Sequence, residues 1–219
     1  QRQPGTYRVF ARSVVNATGV WVDAVREQSL ADSGQAPPER IVTASQGVHV
    51  VVSRDFMPGR HALLVPKTQD GRVLFAVPWM GALILGTTDT PRQDLSREPE
   101  AFDHELDFIL SEASKVFRRP VKRTDVQSVW VGLRPLVAST HAKAGTKSLS
   151  REHTIVTDDN GLITVTGGKW TTYRSMAEDV MEACFDAKIL PRRSGESTRR
   201  HALMGALQSA VSATVCDPP

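Results

Sequence analysis

Residues 162–187, "LITVTGGKWTTYRSMAEDVMEACFDA", constrain the fold more than any other stretch. A β-branched run ends in two glycines, and a helical pattern follows from about Thr172 to Ala187. Tyr173, Met176, Ala177, Val180, Met181 and Cys184 recur on one face of that pattern. A pair of glycines lets the backbone turn sharply and lie close to a ligand. A helix start adds exposed N–H groups and positive potential, which favour an anion. Lys169 places a full charge beside them. The G-x-x-x-x-G-K-[ST] spacing of a nucleotide-triphosphate loop is absent, so the glycines read as an anion-facing turn of another kind.

The remaining periodicity supplies mostly strands. Val9–Val15 reads as a strand, "NATG" as a sharp turn, and Trp21–Arg26 as a short helix. Ser33–Arg40 is a Pro-containing loop. Val48–Val52 is a continuous β-branched run, so a buried strand. Ala62–Val65 and Val73–Val77 are strands joined through a turn at Asp70-Gly71. Ala82–Thr87 is a further strand, and Pro91–Pro99 a polar loop. From Phe102 to Phe117 the residues Leu106, Ile109, Leu110, Ala113, Val116 and Phe117 fall at helical spacing, and Pro120 stops the helix. "SVWVGLRPLV" reads as a strand broken at Gly132 and Pro135. His153–Thr157 and Leu162–Thr166 pair through Asp159-Asn160-Gly161. This pattern predicts an α+β fold dominated by antiparallel sheet.

Composition narrows the partners. The chain has 219 residues with a net charge of +3, and its Lys and Arg are mixed with acids. That balance favours anionic small molecules and gives no nucleic-acid footprint. No apolar run approaches a membrane span. Cys184 and Cys216 lack metal spacing and fit a reducing compartment. A strand pattern stands at the start and a basic, weakly apolar tail at the end, so a piece of a longer protein is expected.

Four turns carry candidate chemistry. Asn16-Ala17-Thr18-Gly19 lies between a strand and a helix, where small residues admit a ligand; it also reads as a plain connection. Gly86-Thr87-Thr88-Asp89 ends a strand and either binds a polar ring or hydrogen-bonds only itself. In Gly132-Leu133-Arg134-Pro135 the proline stiffens the backbone around an arginine, which suits bidentate recognition of phosphate or carboxylate; a surface loop arginine is the alternative. The fourth is Gly167-Gly168-Lys169-Trp170-Thr171-Thr172.

Taken in order, "ARSVVNATGVWVDAV", "GVHVVV", "FAVPWMGALILGTTDT", "VWVGLRPL", "SREHTIV" and "TVTGGKWTTYRSMAEDV" resemble the FAD-dependent, quinone-linked glycerol-3-phosphate dehydrogenases, from about Val9 to Ala187. The resemblance implies an antiparallel substrate-binding sheet over residues 31–155. Parts of a Rossmann-like FAD-binding domain would occupy residues 1–30 and 156–188, with a linker or the start of a further domain at 189–219. The family's G-x-G-x-x-G does not occur in the chain, and Ser45-Gln46-Gly47-Val48-His49 departs from the commoner Lys-Gly-Ser-His.

By the same resemblance Ala17, Thr18, Gly19, Thr88, Asp89, Gly168, Lys169 and Thr171 face the FAD. Arg134, Arg151 and Lys169 grip the substrate phosphate, and His49 is the candidate for taking the C2 hydroxyl proton; a strand histidine in a polar hydrogen-bond network is the alternative. His49, Arg134 and Lys169 are then the catalytic set, with no metal. His104 and His153 read as structural or solvent-facing. The implied reaction is oxidation of sn-glycerol 3-phosphate to dihydroxyacetone phosphate, with electrons passed to a membrane quinone. The enzyme would sit peripherally on the inner, cytoplasmic face of the cell membrane; a homodimer is compatible with the resemblance. The basic stretch "RRSGESTRR" reads as a linker or as a contact for anionic lipid. Two other functions compete: an amine or amino-acid oxidase of the same flavin superfamily, and a non-catalytic piece that holds no flavin.

Overall fold

The computed structural model describes residues 5, 7–32, 34–68, 71–137, 152–192, 198–199 and 201–205. Two sheets organise them. The smaller has the order β1-β9-β8: β1 (Val14–Asn16) lies parallel to β9 (Leu162–Gly167), which is antiparallel to β8 (His153–Thr157). Strand β1 therefore has an open edge. Its Val14 and Val15 are 59% and 45% exposed.

The larger sheet has six strands in the order β3-β4-β5-β2-β6, with β7 on the other side of β2. Its members are β2 (Val42–Ser53), β3 (Leu63–Val65), β4 (Leu74–Trp79), β5 (Ala82–Gly86), β6 (Thr90–Arg92) and β7 (Val126–Val137). All its pairings are antiparallel. Strand β2 is the spine, since it pairs with β5, β6 and β7.

Alternation along β2 decides which face is covered. Val48, Val50 and Val52 point into a core with Leu74, Ala76, Leu83 and Leu85. Helix α2 (Asp103–Val116) closes that face with Ile109, Leu110 and Ala113. Each such aliphatic side chain contributes roughly 1.5–3 kcal/mol on burial. The neighbours Gly47, His49 and Val51 point to the opposite face, because side chains alternate along a strand.

Helix α1 (Val22–Ala31) follows β1 directly, and α3 (Tyr173–Asp186) packs Val180 and Cys184 on Ile163 of β9. Buried polar groups lock α1 in place. Asp23 accepts from the N–H groups of Ile41 and Val42 at 3.1 Å each. Arg26 makes two bonds to Asp158, at 2.7 and 3.0 Å, and a third to the Glu39 carbonyl at 3.0 Å.

The structure corrects several expected boundaries. Helix α1 runs to Ala31, five residues past the expected end at Arg26. Strand β1 has three residues, fewer than the Val9–Val15 pattern predicts, because only those pair with β9. Strand β2 begins at Val42, although residues 43–47 are small or polar; pairing with β7 and β6 holds them extended. Strand β6 falls inside the expected polar loop. Strand β7 runs unbroken through Gly132 and Pro135. Among the described residues it pairs only with β2, and an edge strand tolerates a proline whose missing N–H faces outward. Tyr173 and Met181 of α3 and Val116 of α2 are exposed, not packed inward as expected. Asp70, Arg151 and Cys216 lie outside the described residues.

Candidate active site

The uncovered face of the larger sheet carries the first cluster. One row across the sheet reads Phe75 on β4, Gly86 on β5, His49 on β2 and Trp130 on β7. The His49 and Trp130 rings stack, with centroids 4.4 Å apart and planes 23° apart. On the other side, a Cβ added to Gly86 would lie 2.4 Å from His49 Cδ2 and 3.1 Å from Nε2. The imidazole thus occupies the volume a side chain at position 86 would need.

The same device recurs one pair along the strand. Gly47 pairs with Gly132, and the Arg134 guanidinium lies over Gly47; an added Cβ there would be 2.0 Å from Nη2. Arg134 donates to the Thr88 carbonyl at 3.0 Å and to Thr87 Oγ1 at 2.7 Å, and stands 3.7 Å from Asp89. Its side chain is 35% exposed. Asp89 also accepts from Ser45. Two glycines therefore floor a shelf that holds an imidazole beside a fixed cation. Burial holds the His49 imidazolium below its usual range, and the Arg134 charge pushes it further down. His49 is the neutral base form near pH 7.

Thr88 is used differently from the expectation. Its hydroxyl donates to Glu105 at 3.0 Å and accepts from the Val48 N–H at 3.0 Å, and the residue is 1% exposed. That side chain serves the fold and has no free face for a cofactor. Glu105 is the hub it serves. The carboxylate also takes bonds from Thr90 at 2.6 Å, Gln46 at 2.6 Å and the Phe102 N–H at 3.0 Å. Burial pushes this carboxyl up, but the four hydrogen bonds outweigh it and hold it below the usual range.

The second cluster sits where β1 and β9 end. Parallel strands that finish side by side leave a crevice beyond their carboxyl ends, the usual place for a ligand in such sheets. Both strands run into a 3-10 turn and then a helix: Gly19–Trp21 before α1, and Trp170–Thr172 before α3. Gly167 and Gly168 have φ of 76° and 75°, a conformation side chains resist. A Cβ on Gly167 would sit 2.6 Å from the Glu152 carbonyl oxygen and 2.8 Å from Val137 Cγ2; one on Gly168 would sit 2.6 Å from Met176 Sδ. A largely apolar cleft of about 480 Å³ opens there, lined by Val15, Ala17, Gly168, Lys169, Tyr173 and Met176 among others. Thr18 donates its hydroxyl to Asn16 Oδ1 at 2.8 Å, and Asn16 donates to Thr164 Oγ1 at 3.2 Å, which ties the first turn to β9. Thr171 is exposed at the start of α3.

The structure thus groups the sequence candidates in two sets. His49, Arg134 and Asp89 share the glycine shelf; Ala17, Gly168 and Lys169 share the cleft. Thr18 and Gly19 stand behind the cleft, in the turn that follows Asn16. Strand β7 links the sets, for Arg134 belongs to it and Val137 at its end packs on Gly167. His153 pairs with Asp179 at 2.8 Å and His104 stacks on Phe102, in keeping with structural roles. Sequence reasoning missed Trp130 and the flooring roles of Gly47 and Gly86. Their signal is a cross-strand register, which no local pattern encodes.

The FAD dependent oxidoreductase family matches residues 1–174 of the chain. The chain belongs to this family. Among curated members, this flavoprotein family chain is 40% identical over 200 residues to the mitochondrial glycerol-3-phosphate dehydrogenase SDP6 of Arabidopsis thaliana, covering 91% of the chain and 31% of the relative. The Bos taurus mitochondrial glycerol-3-phosphate dehydrogenase is 43% identical over 186 residues, covering 84% of the chain and 25% of the relative. The solved glycerol-3-phosphate dehydrogenase of Bacillus halodurans, complexed with FAD, superposes with a TM-score of 0.70 at 32% identity, over 85% of this chain and 34% of that one. The chain spans between a quarter and about a third of these relatives' lengths.

Proposed function

We propose that the protein oxidises sn-glycerol 3-phosphate to dihydroxyacetone phosphate, with FAD as its cofactor. The carrying observation is the shelf, where a neutral histidine stands beside an arginine whose fork is anchored at two points. Removing two electrons from a phosphorylated alcohol needs a base for the hydroxyl proton and a fixed cation for the phosphate. His49 and Arg134 supply that pair.

The residues present fit a flavin. The cleft is of a size common for small-molecule sites, and Gly167 and Gly168 keep their backbone bare against it. Ala17, Gly167, Gly168 and Lys169 are the groups that would hold the cofactor. Bound FAD supplies the acceptor for the hydride from C2. Lys169 and the start of α3 place positive potential at that edge of the cleft. Arg134 holds the phosphate, and His49 takes the C2 hydroxyl proton. Orientation of this kind contributes several kcal/mol, up to roughly 7–11 kcal/mol in well-aligned systems.

Onward transfer to a membrane quinone, a peripheral position on the inner face of the cell membrane and a homodimer belong to the same reading. The basic stretch at residues 192–200 reads as a linker or as a contact for anionic lipid. The test is an assay of the full-length holoenzyme with glycerol 3-phosphate and a dye acceptor. Arg134→Ala should raise KM at least tenfold, in line with loss of a charge-assisted bidentate contact of about 1.5–3 kcal/mol. Equal turnover of unphosphorylated glycerol or of an amino acid by the parent would sink the reading.

A further inference from the structure

A histidine that acts as a base usually has its ring fixed by a hydrogen bond at the nitrogen not in use. His49 has no such bond among the described residues. Its contacts are the Trp130 ring on one side and bare Gly86 on the other. The neighbours in its row are therefore the largest and the smallest side chains available. The register makes His49 and Trp130 a direct cross-strand pair, the closest arrangement a sheet offers. Trp130 is half exposed, with no part in the core under α2. Its indole covers the imidazole instead.

We propose that Trp130 is a positioning residue that holds the His49 ring over Gly86 in one plane, beside Arg134, and so aims the base at its substrate. The proposal rests on the reading of His49 as the base. The stack replaces the missing hydrogen bond: it removes ring rotation and excludes water from one face. Of the charged groups around the ring, Arg134 acts on it directly, and Asp89 stands behind Arg134. Phe75 and Gly86, on the side away from β7, bring no charge.

The test uses the full-length holoenzyme with glycerol 3-phosphate and a dye acceptor. Proton–deuterium exchange at the His49 imidazole carbon, read by mass spectrometry, follows the ring's own titration. Trp130→Ala should lower kcat roughly ten- to a hundredfold, as misplacement of a reacting group does, with KM within about twofold. The His49 midpoint and the acid limb of kcat/KM should both move up toward the ordinary value as water reaches the ring. Trp130→Phe keeps a flat face and should restore both. Trp130→Leu, which keeps apolar bulk but no ring, should behave as the alanine variant does, and replaces it if the alanine variant does not fold. A midpoint and kcat that stay unmoved in the variants without a ring overturn the proposal, as does a phenylalanine no better than leucine. A midpoint that moves while kcat does not would keep Trp130 as the holder of the ring and remove His49 as the base. Full activity of His49→Gln would do the latter independently.

Discussion

Glycine at positions 47 and 86 is required by what lies above it, not by backbone angle. A methyl group at 47 meets the Arg134 guanidinium at 2.0 Å, and one at 86 meets the His49 ring at 2.4 Å. The two substitutions should therefore separate binding from chemistry. Gly47→Ala displaces the cation, and we expect KM for glycerol 3-phosphate to rise about tenfold with a smaller change in kcat, a loss on the order of 1.4 kcal/mol. Gly86→Ala displaces the His49 ring, the proposed base, and on that reading kcat should fall while KM holds. Steady-state kinetics on the two variants checks both; the reverse pattern would mean that the roles of Arg134 and His49 are exchanged. The depressed His49 value also fixes a sign. The unfolded chain binds this proton more readily than the folded one, so its contribution to stability is present above about pH 6.5. That contribution declines as pH falls through the folded value. The acid limb of kcat/KM, which reports groups of the free enzyme, should lie below pH 6.5 on the proposed reading, and a pH–rate profile reads it directly.

At the scale of elements, buried charge pins α1 and the start of α2, beside the apolar packing that seats α2 and α3 on the sheets. Glu105 ties the start of α2 to β2 and β6 through four hydrogen-bonding partners. Glu105→Ala should destabilise by about 1–3 kcal/mol, the cost of stranding buried donors, with thermal unfolding as the readout. Arg26 and Asp158, whose side chains are 6% and 7% exposed, tie α1 to the segment between β8 and β9. Removing one partner alone, as in Asp158→Ala, should cost about 1–3 kcal/mol, because Arg26 loses two charge-assisted bonds while Asp23 at 3.7 Å still faces it. Helix α2 and the strands rich in β-branched residues were legible from periodicity. The extent of β2 and β7 was not. Residues 43–47 carry no strand pattern, and Pro135 argues against one; both are extended because a neighbour supplies the ladder. The same reason hid half the site. Arg134 and His49 can be singled out from their local setting and from a family resemblance, whereas Trp130 and Gly86 acquire meaning only once β7 and β5 are set beside β2. Thr88 shows the converse, a residue singled out for a ligand whose hydroxyl is spent inside the protein.

For the molecule as a whole, the two sheets meet where Val137 at the end of β7 packs on Gly167 of β9. That contact places the shelf and the cleft in fixed relation. Gly167→Ala forces a side chain into a left-handed backbone and against both the Glu152 carbonyl and Val137. We expect it to weaken flavin retention in the full-length protein, read as loss of the visible flavin absorbance after gel filtration, with the larger sheet intact by circular dichroism. Strand β1 has a further consequence. Among the described residues its outer edge has no strand beside it, and it is flanked by the exposed Val14 and Val15; such edges recruit strands from other molecules. Produced by itself, this 219-residue stretch should clump as concentration rises, and a lysine at position 14 should delay that onset without touching the shelf.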